Sequence, residues 1–511
     1  MILNSVDLSV DPCKDFYSYC CGGWERHHSI PADRSKYGAI EELQTKVLLQ
    51  LKGKRYIRFQ FETSDKFGNS ESAIFSIFFT DLLESEESDG VAVQNAFRFY
   101  KSCMNTSSIE SRGALPFLQF ATEWGGWPVV DTSWSAKKFQ PLSAIAKIQI
   151  KTGYGYILPI IVGTDPKNTT RKLLQKMSPL EKMENFDFWY NNMTIKELRK
   201  RVPQIDWLNF IQEFTNSSLL SIGKGYEIHK NDVVIVRDIP YVEKISRFLR
   251  DETNARQIST YLGWRVLMGL MQHLPQNFTV AVKEFFRDTG FAQQTSERLR
   301  TCINRINSVF EMAAAFLYVK KHFSFEVRNE VRKLVLDLSF EFENLLLNND
   351  WMDRKTKNAA LEKLRAMKVN VGFPDWITDE NNLDDYYLQT SMPAMGDNVF
   401  ENDIKLTEYK TGLVIKSLRV PPKKEEWPVS PITINAAYNR NLNSITFPAA
   451  FLQLPLYSSS MPKFVNYAAI GSIIGHEITH GFDSEVAQNC HDVVPMPIEK
   501  YCLETNTFNS S

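Results

Sequence analysis

The 511-residue chain is poor in histidine, with eight, and its 59 basic and 60 acidic residues leave a formal net charge of only −1. So even a balance gives no electrostatic ground for a nucleic-acid or anionic-membrane partner. Long apolar runs are also missing. A membrane-crossing helix requires roughly 18 apolar residues, and the most apolar segments, Ala73 to Leu83 and Tyr156 to Gly163, are too short. The opening MILNSVDLSVDPC lacks a basic stretch followed by an apolar one, so no secretion leader is read in the chain as written. Seven cysteines fall in no zinc-ribbon spacing. Disulfides are their expected use, with Cys13, Cys20 and Cys21 clustered near the start and buried free thiols as the alternative.

What the chain does have is enough apolar residue, 43%, over a length sufficient for two or more domains with substantial cores. Its chemistry concentrates in Val465 to Asp483, VNYAAIGSIIGHEITHGFD. A helix through this stretch puts His476 and His480 on one face a turn apart, with Glu477 on the adjoining flank. Two imidazoles aimed at one point with a carboxylate beside them suit a hydrolytic zinc ion. The alternative is a pair of structural histidines. Ile470, Ile474 and Ile478 repeat every four residues on another face and are expected in a core. Asp483 returns to the histidine face, either to receive the free N–H of a ligating imidazole or as an ordinary helix-end carboxylate.

A catalytic zinc site normally takes three protein ligands. The metzincin pattern would need Gly and His where Asp483 and Val486 stand, so it is excluded. Glu485 would face away on a continued helix. Glu499 and Glu504 lie downstream in no helical pattern, in a region broken by Pro495 and Pro497.

Elsewhere, Asp288 to Leu347 has the apolar spacing of long packed helices. Pro431 to Phe447 alternates and reads as a hairpin about Asn439 to Asn443, whose edge would hold a peptide by main-chain pairing or be a plain sheet edge. N-x-S/T acceptors stand at Asn105, Asn168, Asn192, Asn216, Asn277 and Asn509.

DPCKDFYSYCCGGW followed by Ile30-Pro31 resembles the opening of the extracellular domain of neprilysin-like zinc metallopeptidases, the group of neprilysin and the endothelin-converting enzymes. The resemblance resumes at Tyr100 to Cys103, Gly125 to Pro128, Ile205 to Trp207, Tyr261 to Arg265, Arg300 to Cys302 and Gly372 to Trp376, and reaches its fullest in the G-x-x-x-x-H-E-x-T-H-G-F-D pattern. It implies a mainly α fold with a small β portion: a two-lobed gluzincin-type zinc peptidase with its catalytic lobe incomplete. The expected division is 1–420, a largely helical lid lobe with an atypical insert at 55–89; 421–483, the start of the zinc domain; and 484–511, a divergent tail. Pro421 and Pro422 mark the connection.

By this resemblance His476 and His480 ligate one Zn²⁺, Glu477 is the general base and Asp483 supports a ligand. Asn435 and Ala436 bind the substrate backbone, although Ala437 replaces the family's usual aromatic, and Cys103 is joined to Cys302. That bridge would contribute about 4 to 5 kcal/mol on a chain-closure model. Lys36 stands where the family places an arginine for a substrate's C-terminal carboxylate, a point charge in place of a fork. The family's downstream glutamate ligand, its oxyanion-stabilising histidine and its C-terminal cysteines are absent after Asp483, and Glu499 is the candidate substitute ligand. Two expectations follow: a zinc endopeptidase of small extracellular peptides at or outside the cell surface, with no nucleic-acid partner, or a truncated and inactive family member that binds peptides at most.

Overall fold

The computed structural model describes residues 5–30, 36–52, 90–165, 168–176, 190–219, 227–288, 298–419 and 427–483. The expected insert at 55–89, the connection at Pro421 and Pro422, and Glu485, Cys490, His491, Glu499, Cys502 and Glu504 lie outside them.

The fold is mostly helical with two small sheets. The opening helix α1 (Phe16–His27) is capped by Asp15, whose side chain accepts the Ser18 backbone N–H. Cys13, Cys20 and Cys21 all carry free thiols. The disulfides expected at these positions do not form among the described residues. Helices α2 (Ala39–Lys52) and α3 (Val91–Met104) follow. In α3 the apolar residues recur on a broad stripe, from Val93 through Phe97 to Tyr100, and that stripe is buried.

Next comes an α/β layer. Helix α4 (Pro141–Thr152) leads into strands β1 (Ile160–Asp165), β2 (Asn168–Lys176) and β3 (Asn192–Thr194), then α5 (Trp207–Leu219) and β4 (Val233–Val236). The sheet runs β1-β2-β4-β3, with β2 and β4 parallel and the other pairs antiparallel. Helix α6 (Ala255–Leu270) packs close beneath Trp127: a side chain at Gly263 would meet the indole ring at 2.3 Å, so this crossing requires glycine.

Three helices then carry the chain to the site: α7 (Arg298–Val309), α8 (Glu311–His322) and α9 (Phe325–Asn348). The α8 run MAAAFLYV is buried from Met312 to Val319, as a helix apolar all round must be. Cys302 of α7 is bonded to Cys103 of α3, closing a separation of 199 residues.

Strand β5 (Lys368–Gly372), helix α10 (Val399–Lys416) and strands β6 (Ala437–Asn439) and β7 (Ser444–Pro448) come next. The second sheet runs β5-β7-β6, with β5 parallel and β6 antiparallel to β7. The chain closes its described part with α11 (Lys463–Ala468) and α12 (Ile470–His480).

Burial sorts the chain into two cores. One gathers apolar residues from 43–51, 92–109, 302–399 and 432–478 with Leu406; the other gathers them from 117–158, 195–214 and 228–274 with Leu174, Phe400, Ile404 and Ile415. The core under α12 is thus shared with segments that precede it by some 400 residues. Residues on both sides of position 420 contribute to that first core.

Candidate metal and peptide site

The stretch from Val465 to Asp483 was expected to be one helix and is two. Ala469, at φ −86° and ψ −85°, separates α11 from α12. The cause lies in what each half is tied to. Asn466 is held by the Ser458 backbone, receiving its N–H at 3.2 Å and donating to its carbonyl at 2.9 Å, so α11 stays with the preceding loop. Ile470, Ile474 and Ile478 are at most 1% exposed and press α12 onto the core beside α9.

That burial aims the opposite face outward. His476 is exposed and His480 half-exposed, and their Nε2 atoms stand 2.9 Å apart with the rings edge to face. The Nδ1 of His480 lies 2.9 Å from Asp483 Oδ2, close enough for the N–H to donate to the carboxylate and leave Nε2 as the lone-pair nitrogen. Nothing lies within 4 Å of where a side chain at Gly475 would begin, so the surface beside His476 is open.

Glu477 is 5% exposed on the flank of this pair. Burial pushes its carboxyl above the ordinary value, against the pull of His476, His480 and a backbone N–H of Tyr438. Helix α12 packs against β6, the edge strand of the second sheet. Asn435, exposed, and Ala436, 3% exposed, stand immediately before β6. The turn between β6 and β7 occupies the residues expected for it. Asn443 takes the left-handed conformation there at φ +44°, accepts a bond from Tyr438 Oη at 3.0 Å and donates to the Lys363 carbonyl. Sequence reasoning missed Tyr438. Its signal was the alternation along residues 431–447, which places it one step past Ala437 in the edge strand.

Would these residues hold zinc? Two ring nitrogens on a tetrahedral ion, each about 2.0–2.1 Å from it, stand roughly 3.3 Å apart, a small rotation from the spacing present. The imidazoles fit. The donor count does not reach three: among the described residues no group of three or more His, Cys, Asp and Glu is gathered to hold a metal. Lys36, expected near a substrate carboxylate, is an exposed cation 3.4 Å from Glu41.

The model of peptidase family M13, N-terminal part, matches residues 12–180 and 171–374, and a second M13 model matches 435–493. The chain belongs to peptidase family M13. Neprilysin-11 of Caenorhabditis elegans is 27% identical over 95% of the chain and 61% of its own length. Neprilysin of Homo sapiens is 27% identical over 94% of the chain and 70% of its own length. The chain thus spans between six and seven tenths of these relatives. Among solved structures, the zinc metalloprotease ZMP1 of Mycobacterium tuberculosis in complex with inhibitor superposes with a TM-score of 0.73 at 20% identity, over 96% of this chain and 76% of that one. PEPO from Lactobacillus rhamnosis gives 0.71 at 17%, over 97% and 80%. Both share the fold. The M13 relationship accounts for the mainly helical architecture.

Proposed function

We propose that the chain carries the peptide-hydrolysing site of a zinc-dependent M13 endopeptidase acting on small extracellular peptides. One observation carries the reading: His476 and His480 converge through Nε2 while Glu477 sits buried beside them on a helix that packs against an edge strand. His476 and His480 are the metal ligands of this reading, and a further donor comes from outside the described residues, with Glu499 the candidate within the chain. Zinc, when bound, supplies Lewis acidity and lowers the pKa of a water it holds.

The chain's own residues do the rest. Glu477, raised by burial toward the working range of a general base, takes a proton at its carboxylate and later returns it to the leaving amine. Asp483 fixes the His480 ring by accepting its Nδ1–H. Strand β6, with Asn435 and Ala436 at its entry, lays the peptide main chain along the sheet edge, which selects an extended conformation over a side-chain sequence. The Cys103–Cys302 bond and exposed acceptor asparagines at Asn105, Asn192 and Asn277 support an extracellular or cell-surface setting.

The test is zinc content together with cleavage of a quenched fluorescent peptide by the secreted chain and by its Glu477→Gln variant. The reading expects one zinc per chain and a rate reduced by about 10² to 10⁴ in the variant. Folded protein without zinc or turnover would overturn it. The missing third donor among the described residues favours a second reading, a peptide-binding member of the family without catalysis. Peptide affinity retained without zinc and without cleavage would support that one.

A further inference from the structure

The formal charge of the chain is −1, yet its cations are not evenly spread. They gather on one side of the second core. The helix Ile195–Arg201, IKELRKR, seats Ile195 and Leu198 in that core and carries Lys196, Arg199, Lys200 and Arg201 exposed. At about 100° per residue, Lys196 and Lys200 stand one turn apart on the face away from the two apolar residues. The turn before β4 adds Lys230, whose carbonyl accepts the Lys196 backbone N–H at 2.9 Å, so the two lysines start from adjoining backbone. Beside them lies the helix Ile239–Arg250, held in the same core by Val242 and Leu249. Arg201 Nε and Glu243 Oε1 are 3.7 Å apart and join the two helices. Arg247 and Arg250 follow Glu243 along the same flank, and Lys244 stands on the outer face.

The charge of this surface is unmet. Among the described residues, Lys196, Arg199, Lys200, Lys244, Arg247 and Arg250 form no ion pair, and neither does Lys230. The carboxylates nearest to them in the chain are already engaged. Glu197 accepts the Thr194 backbone N–H and hydroxyl, both at 2.8 Å, Asp232 accepts the His229 backbone N–H at 2.8 Å, and Glu243 faces Arg201. Like charges held together in this way repel, and a bound polyanion relieves them. We propose that this surface binds a sulfated glycosaminoglycan. Gathered lysines and arginines attract such a chain, and the guanidinium fork suits sulfate oxygens as it does phosphate. The choice of polyanion rests on the proposed extracellular setting: sulfated polysaccharide is met outside the cell, whereas the anionic lipid leaflet faces the cytoplasm. The apolar residues under these two helices belong to the second core and those under α12 to the first. Retention on a polysaccharide and peptide binding therefore use different parts of the molecule.

Binding to immobilised heparin at about 0.15 M salt tests it, since weak surface attraction is largely screened there. The chain is expected to bind, with an affinity that falls steeply as salt rises, because each cation engaged displaces a counterion. Lys196→Gln/Arg199→Gln/Lys200→Gln and, separately, Lys244→Gln/Arg247→Gln/Arg250→Gln should each weaken binding about tenfold or more. Removing the same charge from the first core, in Lys333→Gln/Arg354→Gln/Lys463→Gln, should change it by less than about twofold. All of these side chains are exposed, so the variants keep the fold. No binding, or an equal loss in the first-core variant, overturns the proposal. So does equal binding to desulfated heparin. Tighter binding to phosphatidylserine vesicles or to single-stranded DNA than to heparin also overturns it, and would make the occupant a membrane or a nucleic acid. The setting is tested apart from this by non-reducing peptide mapping of natively isolated protein. A reduced Cys103–Cys302 pair would count against the extracellular reading, whereas the heparin measurement reports on the basic surface alone.

Discussion

Two imidazole–carboxylate pairs show how differently the same chemistry is used in this molecule. In the α/β core region, His273 Nε2 lies 3.1 Å from Asp403 Oδ2, and Arg305 bonds the other carboxylate oxygen. His273 is 4% and Asp403 6% exposed. On α12, His480 Nδ1 lies 2.9 Å from Asp483 Oδ2, with side chains 43% and 28% exposed. The first pair is sealed among protein atoms and holds α7 to α10 through Arg305. The second spends its carboxylate on orienting a ring whose remaining nitrogen faces His476 and solvent. Each imidazole has a ring nitrogen outside its carboxylate contact, but that of His273 is buried, whereas that of His480 is at an open surface where a ligand can reach it.

The contrast can be broken most severely at Asp403. Asp403→Ala strands Arg305 and His273 in a buried place and is expected to cost about 3–5 kcal/mol, read from urea unfolding. A loss below about 1 kcal/mol would put the two pairs on the same footing. On α12 itself, Ile474→Ala is expected to cost about 2–5 kcal/mol, because the residue is fully buried beneath the open histidine face.

Acid sharpens the comparison. Burial alone would raise the Asp403 carboxyl, but His273 and then Arg305 overcome it and bring the pKa down to about 2. A carboxyl lowered on folding stabilises above its unfolded value, near 4, and loses that contribution as pH falls toward 2. The amount is about 2 kcal/mol. It should appear as a steeper fall in stability between pH 4 and pH 2 for the wild type than for Asp403→Asn. Parallel curves would remove Asp403 from the acid response. The smallest effect on the fold belongs to Asp483→Asn. It should leave stability within about 0.5 kcal/mol while lowering zinc affinity about 10- to 100-fold in a chelator competition. Unchanged affinity would reduce His480–Asp483 to a surface contact.

Much of α12 was readable beforehand. Isoleucines every fourth residue must share a face, so the two histidines could only lie on the other side of the helix, with Glu477 at the boundary between the two faces. The β6–β7 turn was readable too, since polar Asn439 to Asn443 interrupts an alternating run. The break at Ala469 was not. Alanine and its neighbours favour helix, and the interruption comes from Asn466 being fastened to Ser458. Nor could sequence spacing foretell that β5 would lie parallel to β7, pairing Lys368–Gly372 with Ser444–Pro448 across a long crossover.

The sequence by itself determined the local chemistry: which side chains share a helix face, where a turn falls, and that two histidines and a carboxylate stand at zinc-binding spacing. These follow from the fixed geometry of helix and strand. Only the tertiary structure decided that Glu477 would be buried on a helix packed against an edge strand, that α2, α3 and α8 would build the core under α12, and that α9 would present Leu336 and Phe340 outward. Those outcomes depend on contacts between residues hundreds of positions apart, formed wherever apolar faces find one another, and no local period encodes them.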